Sequence, residues 1–340
     1  MLKISKSTYI VAAAIVLAAA SYIFAWVMIQ KQNTAIATVE VEAHKVLDAY
    51  EDAEALEAVQ DIPTLIMSQS DVSKSMQASQ LVDLPDMASF PRWVKNSKPV
   101  HLNDGMSYVS IVIDDVGVVK DRSLRSIEEL PKEVTLAFLP YGESTQDLTK
   151  KAYDMGHEIL VHLPMEAHTS ASGYVADPGP NALYVNQTGD DVKRLVKTNV
   201  ASLLDYAVGV NNHMGSLFTE WSKGMEIVLD HVAENEMLYL DSLTTSKSVI
   251  SQLAKNYPQM PTLRRDVFLD HVIAEDKIKE ALTKVEKIAA QQGYAIAIGH
   301  PHDVTTDVLV EWSKGLQEKN IQLVPITALI KEMKYDTARP

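Results

Sequence analysis

From residue 107 onward the chain repeats one texture: a short unbroken apolar run, then a polar turn, then a stretch with apolar residues at helical spacing. The runs are SYVSIVI, VTLAFL, EILVHL, AVGVNN, MLYLDS, TLRRDV, AIAIGH and IQLVPI; among the segments between them are DDVKRLVKTNVASLLDY, WSKGMEIVLDHVAENE and DKIKEALTKVEKIAAQQG. A strand wetted on one side alternates polar and apolar residues. Runs that do not alternate are buried on both faces, as in a parallel sheet covered by helices. Seven or eight such units over about 230 residues is the size of a (β/α) barrel. The expected class is therefore α/β, a barrel of about seven parallel strands. An open doubly wound sheet is the alternative, but no glycine-rich phosphate loop follows the first run, which weakens a nucleotide-binding version.

The residues before 107 have a different character. TYIVAAAIVLAAASYIFAWVMI carries no charge between Lys6 and Lys31, and one helix over residues 9–29 spans roughly 30 Å, a bilayer core. Tyr22 and Trp26 suit the far interface, while Lys3 and Lys6 place residues 1–8 on the cytoplasmic side. A signal peptide cleaved near Ala20, releasing a secreted protein, competes. Apolar sequence continues past that point, so an uncleaved single-pass anchor in the cytoplasmic (inner) membrane is favoured, with the bulk of the chain exported. Residues 30–105 include the acidic, weakly helical VEVEAHKVLDAYEDAEALEAVQ and the polar QSDVSKSMQASQ, and read as a stalk or linker. A barrel domain over 106–334 and a short tail over 335–340 complete the expected organisation.

A net charge of -14 argues against nucleic acid or an anionic membrane surface as partner. The chain has no cysteine, which excludes thiolate zinc sites, cysteine nucleophiles and disulfides. Any metal must be held by His, Asp, Glu or water.

In parallel barrels the chemistry sits at the C-terminal ends of the strands. Those ends here read Asp114 and Asp115; His162, with Glu166 four residues on; Asn211, Asn212 and His213; Asp241; Arg265 and Asp266; His300 and nearby His302. The opposite ends, such as Val134, Ala207 and Ala295, are bland. Taken singly, each polar residue has an ordinary structural role as helix cap, turn former, core histidine or ion pair, and His157, His168, His231 and His271 are left with that role. Convergence at one end favours an active site. Imidazole and carboxylate ligands suit zinc or a similar divalent metal; one Asp of the pair binds it while the other acts as base, and His300 is placed to protonate a leaving group. Metal-assisted hydrolysis of an acyl bond follows. A glycosidase with paired carboxylates is a poor alternative, because adjacent strand residues point to opposite faces. No G-x-S-x-G elbow supports a serine hydrolase.

The segments IVIDDVG, VTLAFLPYG, GHEILVHLPME, DPGPNAL, VGVNNHMGS, LDSLTT, RDVFLD and AIAIGHP resemble the divergent branch of the polysaccharide deacetylases of carbohydrate esterase type, over about residues 107–330. The resemblance implies a distorted (β/α) barrel. It also implies Asp114 as catalytic base, Asp115 as metal ligand, His162 as the first histidine of the second motif, Asp241 as the late-strand aspartate and His300 as general acid. Two departures stand out: Glu166 occupies the position of the second metal histidine, and NNHMGS replaces an Arg-Pro-rich motif. We expect His213 to complete the metal set with Asp115 and His162, Glu166 to replace or supplement it, and Arg265 to substitute for the arginine that orients the base. Asn212, Asp241, Arg265 and Asp266 are the expected substrate contacts.

The implied activity is removal of acetyl groups from an acetylated envelope polysaccharide or peptidoglycan fragment. A non-catalytic glycan- or partner-binding protein on the same barrel, and a hydrolase of another acyl or ester bond, are the alternatives. The long loop HTSASGYVADPGPNALYVNQTG is expected to cover the site, with Tyr174 and Tyr184 either stacking on sugar or packing at the barrel mouth.

Overall fold

Strands that bury both faces need a core on each side, and two cores form. Along β1 (Ser107–Val116), Val109, Ile111 and Ile113 face a core shared with the helices, while Tyr108 and Val112 face a second, inner core with Leu160, Val208, Leu240 and Ile298. This explains why the runs do not alternate. A computed structural model describes residues 90–170 and 172–330. The expected anchor at 9–29, its flank at 1–8, residues 30–89 of the stalk and the tail at 335–340 lie outside the described residues. Among the described residues no helix is long and apolar enough to cross a membrane.

The chain continues through α2 (Lys120–Glu129), β2 (Thr135–Phe138), α3 (Thr145–Asp154), β3 (Ile159–Met165), α4 (Gly189–Ala201), β4 (Ala207–Met214), α5 (Ser222–Glu234) and β5 (Leu238–Asp241). Then come α6 (Ile250–Leu253), β6 (Thr262–Arg264), β7 (Val267–Phe268), α7 (Glu275–Gln292), β8 (Tyr294–Gly299), α8 (Asp303–Ser313) and β9 (Ile321–Leu323), while α1 (Arg92–Lys95) precedes β1. The helices follow their local signals. In α4 the Thr188 side chain accepts from Asp191 N, Asp190 and Asp191 favour the positive helix start, and Val192, Leu195, Val196 and Val200 form the buried stripe.

Every described strand pairing is parallel, in the order β6-β5-β4-β3-β2-β1-β8-β7, with β9 beside the first residues of β1. The run TLRRDV, read as one strand, forms two short ones at opposite edges. Arg265 N donates to Asp241 O of β5 at 3.0 Å, and Asp266 N donates to Ile296 O of β8 at 2.8 Å. One extended stretch thus passes the chain from one edge to the other, and the sheet curls into a barrel-like arc.

Val324, Ile326, Leu329 and Ile330 close the inner core, helped by Trp93, Val100 and Leu102. Residues 90–105, assigned to the linker by composition, therefore belong to the packed domain. Asn96 Nδ2 donates to Ala207 O at 2.9 Å, and Arg92 Nη1 donates to Leu204 O at 3.1 Å. Glu158, buried at the same end, accepts from the backbone N–H groups of Lys98 and Thr327 and ties both flanking segments to the sheet.

Candidate metal and catalytic site

Two bulges build the site. Val112 and Ile113 pair with Thr135 and Leu136, but the next pair is Val116 with Phe138, so β1 carries an extra residue at Asp114–Asp115. Asp115 takes φ 58°, a left-handed conformation that Asp tolerates better than most residues. Alternation places Asp114 on the inner face after Val112, and the bulge re-aims Asp115 toward the same opening. The expectation that the two carboxylates diverge is corrected: His162 Nε2 lies 3.5 Å from Asp114 Oδ2 and 3.3 Å from Asp115 Oδ1. In β4, Ile159 pairs with Ala207 but Leu160 with Gly209, so a second extra residue sits at Val208. It sets Asn211 directly beside His162.

Asp115 Oδ1, His162 Nε2 and His213 Nδ1 form a nearly regular triangle, with sides of 3.3, 3.1 and 2.9 Å. A cation with ligands at about 2.0–2.2 Å sets adjacent ligand atoms roughly 2.8–3.6 Å apart in octahedral or tetrahedral geometry. Asp115 Oδ1 is buried and receives no well-aligned hydrogen bond. Asn211 Nδ2 donates to Asp114 Oδ1 at 2.8 Å and to Ser242 Oγ at 3.2 Å, so its Oδ1 must be what faces His162 Nδ1 at 2.9 Å. His162 Nδ1 is therefore the donor, and its Nε2 lone pair points into the triangle. The donor set, two imidazoles and a carboxylate, fits a divalent metal.

Electrostatics favour positive charge at that point. Burial pushes the Asp115 carboxyl up, but the adjoining His162 and His213 imidazoles outweigh it and hold it well below the usual carboxylate range. Burial lowers His162, yet Asp114 and Asp115 raise it overall. Asp114, 2% exposed, is raised chiefly by burial and also by Asp115, against the pull of His162, His300 and Asn211. A buried carboxyl raised in this way is suited to general-base work.

His300 lies at the end of β8 and lines the same cleft, of about 280 Å³, as Asp114, Asp115, His162 and His213. Asp270, fully buried, faces His300 Nδ1 at 2.9 Å, and its other oxygen accepts from His300 N and Thr305 Oγ1. Burial lowers the His300 imidazole, but the bond and charge of Asp270, joined by Asp114 and Asp115, push it up to about 9. Asp270 was not singled out in the sequence, although it ends the quoted segment RDVFLD at a strand terminus. Together with His302 it brings a further set of possible ligand atoms within 4.8 Å, but both its oxygens are already engaged.

Other expected residues are used differently. Glu166 Oε2 accepts from Val185 N at 2.8 Å, pinning the loop after β3, and is not among the groups gathered around the triangle. Asp241 accepts from Leu243 N and Ser248 Oγ, shaping the turn after β5. Asp266 accepts from Ile296 N. Arg265 donates to the carbonyls of Ser242 and Leu243 and stacks on Phe268, 3.6 Å from the ring centroid. The group that holds Asp114 by a hydrogen bond is instead Asn211. Asn212 lines the cleft, yet its amide is bonded to Met214 O and Ser242 N. His271, read as structural, lines the cleft. His157 is buried between the carbonyls of Val134 and Ile127, while His168 faces Glu220 and His231 faces Asn235.

Residues 111–330 match the family described as divergent polysaccharide deacetylase. The chain is 31% identical over 232 residues to the uncharacterized protein YibQ of Escherichia coli, covering 68% of this chain and 70% of that one. It is 31% identical over 235 residues to an uncharacterized protein of Haemophilus influenzae, covering 69% and 80%. The crystal structure of an uncharacterized protein from Agrobacterium tumefaciens is similar with a TM-score of 0.66 at 26% identity, across 71% of this chain and 96% of that one.

Proposed function

The chain belongs to the divergent polysaccharide deacetylase family, and from that premise we propose that the cleft is the active site of a metal-dependent hydrolase removing acetyl groups from an acetylated cell-envelope glycan. The observation that carries this reading is the triangle of Asp115, His162 and His213, with Asp114 and His300 beside it in one cleft. Asp115, His162 and His213 would hold the metal. A divalent cation there supplies Lewis acidity toward an acyl oxygen and lowers the pKa of a water.

Asp114, oriented by Asn211, accepts the proton of the attacking water. His300, charged at neutral pH and held through Nδ1 by Asp270, keeps its Nε2 proton for the leaving sugar nitrogen or oxygen as the acyl bond breaks. The sugar leaves with that proton, and acetate with the water's oxygen. The cleft lies just under the ~300 Å³ lower bound of ordinary ligand pockets, room for a sugar ring and its acyl group. Paired-carboxylate glycoside hydrolysis is disfavoured on new grounds: His162 Nε2 stands within 3.5 Å of both aspartates, where a scissile bond would have to lie. The same reading tethers the domain outside the cytoplasmic membrane through residues 9–29, on the strength of the charge-free run between Lys6 and Lys31.

The test is acetate release by the full chain from acetylated chitooligosaccharides and peptidoglycan fragments, metal-loaded against metal-stripped. Release is expected only with metal, and Asp114→Asn is expected to keep its metal while turnover falls about 10²–10⁴-fold. Absence of release above the stripped control overturns catalysis and leaves a glycan- or partner-binding role.

A further inference from the structure

Because the strands are parallel, every loop that follows a strand emerges at the end of the sheet where Asp114, His162 and His300 lie. The large apolar side chains that stand open to solvent gather at that end. Val118 and Val119 follow β1, Tyr174 and Val175 lie in the loop after β3, and Val272 and Ile273 follow β7, each 48% to 67% exposed. Met155, 42% exposed after α3, is the single counterpart at the other end among the described residues. Isolated exposed apolar residues are ordinary, but adjacent pairs on separate loops around one opening are not.

We propose that these tips are a bilayer-docking surface. Each pair is followed within two residues by charge, at Lys120, Asp177 and Glu275. Apolar tips that include a tyrosine, Tyr174, and one pair backed by a lysine, Lys120, suit the boundary between headgroups and acyl chains, whereas a protein partner usually covers one contiguous apolar centre. The occupant is lipid because residues 9–29, read as a membrane anchor, precede the domain by residues 30–89. A linker of that length reaches on the order of 200 Å when extended, ample for the domain to turn its mouth to the membrane. Docking here is apolar, consistent with a net charge of -14 that gives no attraction to anionic lipid. The docking rests on the reading of residues 9–29 as a membrane anchor; the consequence for substrate, that the cleft meets acetylated sugars displayed at the lipid headgroups, rests in addition on the deacetylase reading.

The absence of cysteine allows a single environment-sensitive fluorophore to be placed by Val119→Cys, Val175→Cys or Ile273→Cys, with Met155→Cys as control. The full chain is reconstituted in phosphatidylcholine vesicles, with and without phosphatidylglycerol. Blue-shifted emission at the three tips, quenched by spin-labelled acyl chains in phosphatidylcholine, weaker with phosphatidylglycerol because of the net charge of -14, and absent at position 155, is the expected result. Emission at the tips as water-like as at 155 overturns the proposal. So does a blue shift that lipid quenchers do not reach, which assigns the surface to a protein partner or a second copy. Acetate release from soluble fragments, measured on the same samples, separates failure of docking from failure of the catalytic reading.

Discussion

Asp115 shows how much one residue's backbone decides. Its φ of 58° turns a carboxylate that alternation would send outward into the corner of a triangle with His162 and His213. Glu166, the sequence's competing ligand, is occupied with Val185 N. His213→Gln is therefore expected to lower metal affinity by at least tenfold, and Glu166→Gln to leave bound metal unchanged, as read by metal analysis after dialysis; loss of metal from Glu166→Gln would restore that residue to the ligand set. His300 supplies the pH dependence. Its pKa of about 9 in the folded chain lies above the ~6.5 of an unfolded histidine, so its pairing with Asp270 stabilises fully below about 6.5 and is lost as pH rises through about 9. On the acid side the pairing is lost when Asp270, pushed up by burial but held below its usual range by His300, becomes protonated. Turnover is expected to fall above about 9, and Asp270→Asn to move that fall to lower pH. Superimposable alkaline limbs in a pH–rate comparison would count against His300 as the acid.

At the scale of elements, the two bulges in β1 and β4 convert strands with ordinary patterns into site builders. The β4 bulge brings backbones close together. A Cβ on Gly209 would sit 2.5 Å from Leu238 Cγ and 2.6 Å from Leu238 O on β5. Gly209→Ala is accordingly expected to cost about 1–3 kcal/mol by overpacking, a Tm loss of roughly 2–12 °C for a domain of this size. Calorimetry on the metal-stripped chain reads this directly, and an unchanged Tm would mean that β4 and β5 separate without cost. The strand-end residues with structural duties also act at this scale: Asp241 and Arg265 fix the turn after β5, and the Asp266 carboxylate holds the start of β7 against β8. Turn formers and ligands are drawn from the same polar types and occupy the same strand ends, so sequence alone does not separate these structural duties from substrate contact.

For the whole molecule, the candidate ligands come from β1, β3 and β4, so a cation bound there would link strands distant in sequence and stabilise only the folded state. Zinc at about a hundred times Kd is expected to add about 2.7 kcal/mol, raising Tm by roughly 5–11 °C, with the shift reversed by chelator and absent in Asp115→Ala. An equal shift in Asp115→Ala would place the binding elsewhere. The parallel α/β class was legible along the chain, because burial on both faces leaves its mark within each strand and amphipathic spacing within each helix. The concentration of Asp, His and Asn at strand ends was legible for the same reason: a strand's direction and terminus are local properties. Which of those groups face one another was settled by pairing register. The extra residues at Asp114–Asp115 and Val208 exist only relative to β2 and β3. Asp270 meets His300, and Asn211 meets Asp114, across separations that no periodicity encodes. Residues 90–105 join the domain because the open end of the inner core needs covering, a requirement that arises only once the sheet has curled.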